Sequence, residues 1–185
     1  MKKTKVMIKI LTTRYESGQG MEEDGEECAF GADAAEGAEP ETSEMWTEGR
    51  LVEGGSRVEL IYEEGALSGM EGSVTSVGFE RTAPELVTMM RTGPVSTALV
   101  FEEDARHICV YNTPFSTFEV CTITKKVNNQ LLSRGLLELD YQLEIQGAYA
   151  ERCQMSILVR RQEDGLLSIQ YNKKGLSPVS LQNER

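Results

Sequence analysis

Polar and apolar residues alternate along most of this chain with a period of two. The clearest stretch is "LLELDYQLEIQ" (136–146), where Leu137, Leu139, Tyr141, Leu143 and Ile145 alternate with Glu138, Asp140, Gln142, Glu144 and Gln146. Successive side chains of a strand point to opposite faces, so the pattern predicts a half-buried strand. The run "CQMSILVRR" continues it, with Cys153, Met155, Ile157 and Val159 on one face. For both odd-numbered sets to meet one core in a hairpin, opposed residues must have an even sum, and pairing Ile145 with Cys153 around "GAYAE" satisfies this. Upstream, "TKVMIKILTT" aligns Val6, Ile8 and Ile10, and "SRVELIYEE" aligns Val58, Leu60 and Tyr62. Adding "EMWTEGRLVE", "GSVTSVGFER", "ELVTMMR", "VSTALVFE" and the two halves of "HICVYNTPFSTFEV" gives about ten strands joined by short turns. No segment repeats at i, i+3, i+4, and "NNQLLSRGLL" has room for one helical turn. The expectation is an all-β fold, a single antiparallel meandering β-barrel of about 8–10 strands.

Two turns fix expected faces. Around Pro114-Phe115, Tyr111 opposes Phe118, Cys109 opposes Val120 and His107 opposes Thr122, so Cys109 and Cys121 lie on opposite faces and cannot be bridged. With a loop at Thr92-Gly93-Pro94, Val87, Met89 and Arg91 share a face with Val95, Thr97, Leu99 and Phe101.

Charge changes the picture in one place. The net charge is −11, yet twelve acidic residues and no Lys or Arg fall between Tyr15 and Gly49, and the rest of the chain is close to neutral. Residues 16–43, rich in Gly, Glu and Ala, bury too little surface to offset their ordering entropy and read as a flexible acidic insertion. "EEDGEE" lacks the ligand spacing of a calcium loop. The domain is expected over 1–165, with 166–185 a short extension and "DG" at 164–165 a place for a last turn. Basic clusters are too small for nucleic acid. No run reaches the roughly 18 apolar residues of a membrane span. The N-terminal "MKKTKVMIKILTTR" lacks a signal-peptide core, because Lys9 interrupts it. Cysteines at 28, 109, 121 and 153 fit no zinc spacing and read as reduced, which points to the cytoplasm. No metal or cofactor is expected.

In their order and spacing, "LIYEEG", "GSVTSVGFE", "ELVTMMRTGPVSTALVFEEDARHICVYNTPFSTFEVCTITKKV" and "LLELDYQLEIQG" resemble the YwiB-like family of bacterial proteins. That family is known as a domain of unknown function with a calycin-like, lipocalin-shaped barrel. The likeness runs from about Leu51 to Arg161, with Val6–Thr13 fitting the first strand. Here the turn reads Phe115-Ser116 where the family usually has Tyr-Gly, which implies a turn that either has no need of a left-handed residue or accepts one at some strain. The resemblance implies a fold and no activity.

Candidate chemistry centres on Arg91. An Arg on an inner apolar face must be paired or must meet an anion. A structural pair with Glu63, Glu64 or another carboxylate is one reading. The other is a guanidinium at a barrel mouth awaiting a carboxylate, with Tyr62 and Tyr141 supplying hydroxyls and Phe101 and Tyr111 as walls. The ligand-binding candidates are therefore Arg91, Tyr62, Tyr141, Tyr111 and Phe101, and no catalytic residue is named. His107 reads as a structural or half-exposed histidine, and Trp46 as core or barrel-end packing. Three functions are compatible with this: a barrel binding a small amphipathic or anionic molecule, an enzyme using interior Arg, Tyr and Glu, or a packed module that meets a protein partner. The pattern says nothing of oligomeric state.

Overall fold

The computed structural model describes residues 1–16 and 39–161. Ten strands run in chain order: β1 (Lys2–Glu16), β2 (Glu41–Glu53), β3 (Arg57–Glu63), β4 (Val74–Glu80), β5 (Ala83–Thr92), β6 (Ser96–Phe101), β7 (Arg106–Asn112), β8 (Thr117–Gln130), β9 (Leu136–Ile145) and β10 (Ala148–Arg161). Each pairs antiparallel with the next, and β1 pairs with β10, so the sheet closes on itself as an up-and-down barrel. Closure removes the unpaired strand edges that would invite aggregation. The all-β meander expected from the alternation is the observed fold. The helical turn expected in "NNQLLSRGLL" is present as α1 (Leu131–Arg134).

The alternating residues point inward as predicted. Val6, Ile8, Val58, Leu60, Val77, Val87, Phe101, Leu137 and Ile157 are completely buried, and all belong to one continuous core. At one end α1 turns back over the barrel and buries Leu131. Gly135 ends the turn with φ +69, and its N–H meets the Leu131 carbonyl at 3.1 Å while its own carbonyl takes the Val159 N–H at 2.7 Å. A side chain there would run into the Val159 carbonyl oxygen, so glycine answers both a conformational and a spatial demand.

Registers were less legible than faces. Tyr111↔Phe118, Cys109↔Val120 and His107↔Thr122 pair as expected. The β7–β8 turn is tied by Thr113, whose hydroxyl accepts the N–H groups of Phe115 and Ser116 at 3.3 and 3.0 Å. Ser116 keeps a negative φ, so the missing glycine costs the turn nothing. The β9–β10 hairpin differs from expectation: Cys153 pairs with Tyr141, not Ile145. The turn is tight, Gln146-Gly147 with φ +53 and +82, and a bulge between Tyr149 and Glu151 restores the even parity that burial demands. Between β5 and β6, Arg91 opposes Thr97 instead of Val95, with the same faces buried. A second bulge, between Thr124 and Lys126, changes the phase of β8. Without it Lys126 would continue the inward series of Thr122 and Thr124 into the core; with it Lys126 is exposed and Val127 packs inward.

The strands claim both ends of the acidic 16–43 segment, since β1 reaches Glu16 and β2 starts at Glu41. Residues 17–38 of that segment, Cys28 among them, and the extension 166–185 with the turn at 164–165 lie outside the described residues. No helix among the described residues is long and apolar enough to cross a membrane.

Candidate functional site

The barrel is filled at the α1 end and hollow at the other. A cavity of about 590 Å³ opens where β1, β3, β5 and β9 end and β2, β8 and β10 begin. Its apolar wall comes from Ile10, Met45, Met89, Leu99, Val120, Leu143 and Met155, inward positions of the strands, with Met70 from the β3–β4 connection. That connection makes a 3-10 turn at Ala66–Ser68 and closes with Gly69 at φ +69.

The polar part of the wall is built around Arg91. Its Nε donates to Glu64 Oε1 at 3.2 Å and to Thr75 Oγ1 at 3.1 Å, and its Nη2 lies 3.2 Å from the same Glu64 oxygen. Thr75 in turn donates its hydroxyl proton to Glu64 Oε1 at 2.5 Å. All three are buried: Thr75 completely, Glu64 at 6 % and Arg91 at 8 % exposure. Removal from water makes each charge costly alone, and the pair with its shared threonine offsets that cost. Of the carboxylates considered for Arg91, the structure selects Glu64; Glu63 faces outward and is exposed.

Four of the five predicted ligand-binding residues line this space: Arg91, Tyr62, Tyr141 and Tyr111. Phe101 does not. It is completely buried, with its ring 4.8 Å from that of Tyr141. Burial, aided by the negative charge of Glu64, pushes the Tyr62 hydroxyl well above its usual pKa. Burial also raises Tyr141, with Cys153 beside it on the paired strand. Tyr111 stacks on Phe118, the centroids 5.3 Å apart and the planes within 16°. The cross-strand register fixes that contact, and pairs of this kind add about 0.5–1.5 kcal/mol beyond burial.

Sequence reasoning missed Thr75, Met70, Arg14, Glu151 and Cys153 as residues of the site. Thr75 could have been found, because it is in phase with Val77 and Phe79 on β4. Met70 sits in an irregular connection that no period marks. Burial, with Glu151 nearby, pushes the Cys153 thiol up to about 12 and keeps it neutral.

Other candidates lie elsewhere. His107 is outside the cavity, half-buried, with Nε2 3.1 Å from Glu102 Oε2. Trp46 does not pack in the core. It stands on the outer face, half-exposed, its Nε1 donating to Glu44 at 2.7 Å and its ring 5.4 Å from the Lys9 ammonium. The odd–even position explains this: Met45 and Thr47 take the inner face of β2, leaving Trp46 outside. Cys109, Cys121 and Cys153 are free thiols. Among the described residues no three His, Cys, Asp or Glu side chains gather as metal ligands.

A closed ten-stranded antiparallel barrel, plugged at one end and hollow at the other around a buried ion pair, defines the class of protein. Residues 31–157 match a family described as a domain of unknown function, DUF1934, and the chain belongs to that family. Its fold is similar to the crystal structure of the ywiB protein from Bacillus subtilis, with a TM-score of 0.65, 21 % identity, and coverage of 87 % of this chain and 94 % of that one. At that identity the likeness speaks to fold alone. No curated protein matches the chain.

Proposed function

We propose that this protein binds a small amphipathic or anionic molecule inside its barrel. The observation that carries the reading is the cavity of about 590 Å³, a size in the usual range of ligand pockets, lined by apolar side chains around a few convergent polar groups. The apolar body of the ligand meets the methionine and leucine wall, and its polar head meets Arg91, Tyr62 and Tyr141. Using a barrel interior this way follows calycin-like barrels, an analogy of fold. Binding is preferred over catalysis because the titratable groups with the strongest environments, Tyr62, Tyr141 and Cys153, are pushed toward their neutral, unreactive forms. The free thiols support a reducing compartment, and we place the protein in the cytoplasm.

Native mass spectrometry of freshly purified protein tests the reading. The expected result is excess mass that is lost on denaturation and lost in Leu143→Trp, a substitution that fills the cavity from a half-buried wall position. A bare mass that persists after incubation with cell extract overturns it.

A further inference from the structure

A barrel that binds an amphipathic molecule could take a head of either sign or of none, and the charges around the cavity discriminate between them. Arg91 is not a free cation. Its Nε and Nη2 and the Thr75 hydroxyl all converge on one oxygen of Glu64. Arg91 Nη1 and Glu64 Oε2 are left without hydrogen-bond partners among the described residues, and neither is sealed from open space. The ion pair itself thus offers one donor group and one acceptor, and its charges cancel. The remaining charges of the wall do not favour an anion either. Outside the pair, Arg14 faces three glutamates, Glu41, Glu44 and Glu151, and among the described residues only Glu44 is met from outside, by Lys9 at 2.9 Å. A carboxylate head would approach Glu64 in a poorly solvated wall, where like charges repel strongly.

Resting on the barrel-binding reading, we propose that the ligand's polar head is uncharged and carries a hydrogen-bond acceptor next to a donor, as a primary carboxamide does. Its carbonyl oxygen accepts from Arg91 Nη1, and its N–H donates to Glu64 Oε2. Such a head completes both halves of the pair without adding charge, whereas a carboxylate satisfies only the arginine and an ammonium only the glutamate. The flexible, polarisable side chains of Met45, Met70, Met89 and Met155 take the apolar body and tolerate variation in its shape.

Calorimetric titration of the full chain with octanamide, octanoate and octylamine at neutral pH tests this. Octanamide is expected to bind, with octanoate and octylamine each at least about tenfold weaker, the value of one hydrogen bond to a charged group. Glu64→Gln keeps the shape and frees the arginine's charge, so octanoate gains on octanamide. Because Glu64 is buried, Glu41→Gln at the exposed rim gives a second variant that leaves the packing intact, and it too should raise octanoate affinity more than octanamide affinity. Octanoate binding as tightly as octanamide, or more tightly, overturns the neutral head and leaves the binding barrel standing. Octylamine binding tightest does the same. Binding of none of the three to the folded protein counts against both readings.

Discussion

The two ends of the barrel use the same ten strands and the same alternation, yet one is solid and the other hollow. At the solid end the inward positions are branched or aromatic, among them Val6, Leu51, Val58, Phe79, Val87 and Leu137, and Leu131 of α1 covers them. At the hollow end the same strands turn inward Thr12, Ser43, Thr75, Arg91 and Thr97, which are small or polar. A barrel's diameter grows with strand number, so ten strands leave room that only bulky side chains or a plug can fill. The contrast teaches that the cavity is made by residue choice along each strand, because strand number and closure are common to both ends.

Mutations at the two ends should therefore fail differently. Phe101→Ala removes a completely buried ring under Tyr141 and is expected to cost about 3–5 kcal/mol in a urea unfolding experiment. A much smaller loss would show that the core there is already loose. Glu64→Ala strands Arg91 in the wall and is expected to cost about 3 kcal/mol, while the double replacement Glu64→Met, Arg91→Met costs much less. Near-native stability of the double variant, together with lost ligand binding, would separate the pair's structural and functional roles. Gly135→Ala strikes the plug alone, by a left-handed backbone and a clash with Val159, and should cost about 2 kcal/mol without changing ligand affinity. A comparable drop in affinity would couple the two ends.

Alkaline pH should weaken the hollow end. The Cys153 thiol is raised from 9.0 to about 12 in the folded state, and Tyr62 and Tyr141 are also raised. Between the unfolded and folded values the unfolded chain has lost the proton that the folded one still holds, so stability is full below about pH 9 and falls as pH rises toward 12. Unfolding midpoints measured across that range should drop, and Cys153→Ala should flatten the slope. An unchanged slope would assign the effect to the tyrosines. The smallest effect belongs to the outer surface of the hollow end: Phe115, 98 % exposed at the β7–β8 turn, should tolerate Ser within about 0.5 kcal/mol.

Much of the fold was legible in the residues. The order of strands, the inward sets on β1, β3, β9 and β10, and the register of β7 on β8 came from a period of two and from turn residues that set parity. The β9–β10 register did not, because a glycine turn and a bulge two residues later offset one another, and neither leaves a mark in the alternation. Trp46 was misplaced by its size. Its neighbours' phase, not its hydrophobicity, decides its face. Of the site, Arg91, Tyr62, Tyr141 and Tyr111 could be named from faces alone, and Phe101 could not be distinguished from them, since depth along the barrel axis has no local signal.

The sequence by itself determined a meander of strands with an inward arginine, because alternation and short turns act over neighbouring residues, whereas its closure rests on β1 meeting β10 across the whole chain. Only the tertiary structure decided that Glu64 and Thr75 meet Arg91, and that the space beside them stays open. The first depends on the registers of β3, β4 and β5 across the sheet. The second depends on how side chains from ten strands fill one cross-section, a sum over residues distant in the chain that no local pattern contains.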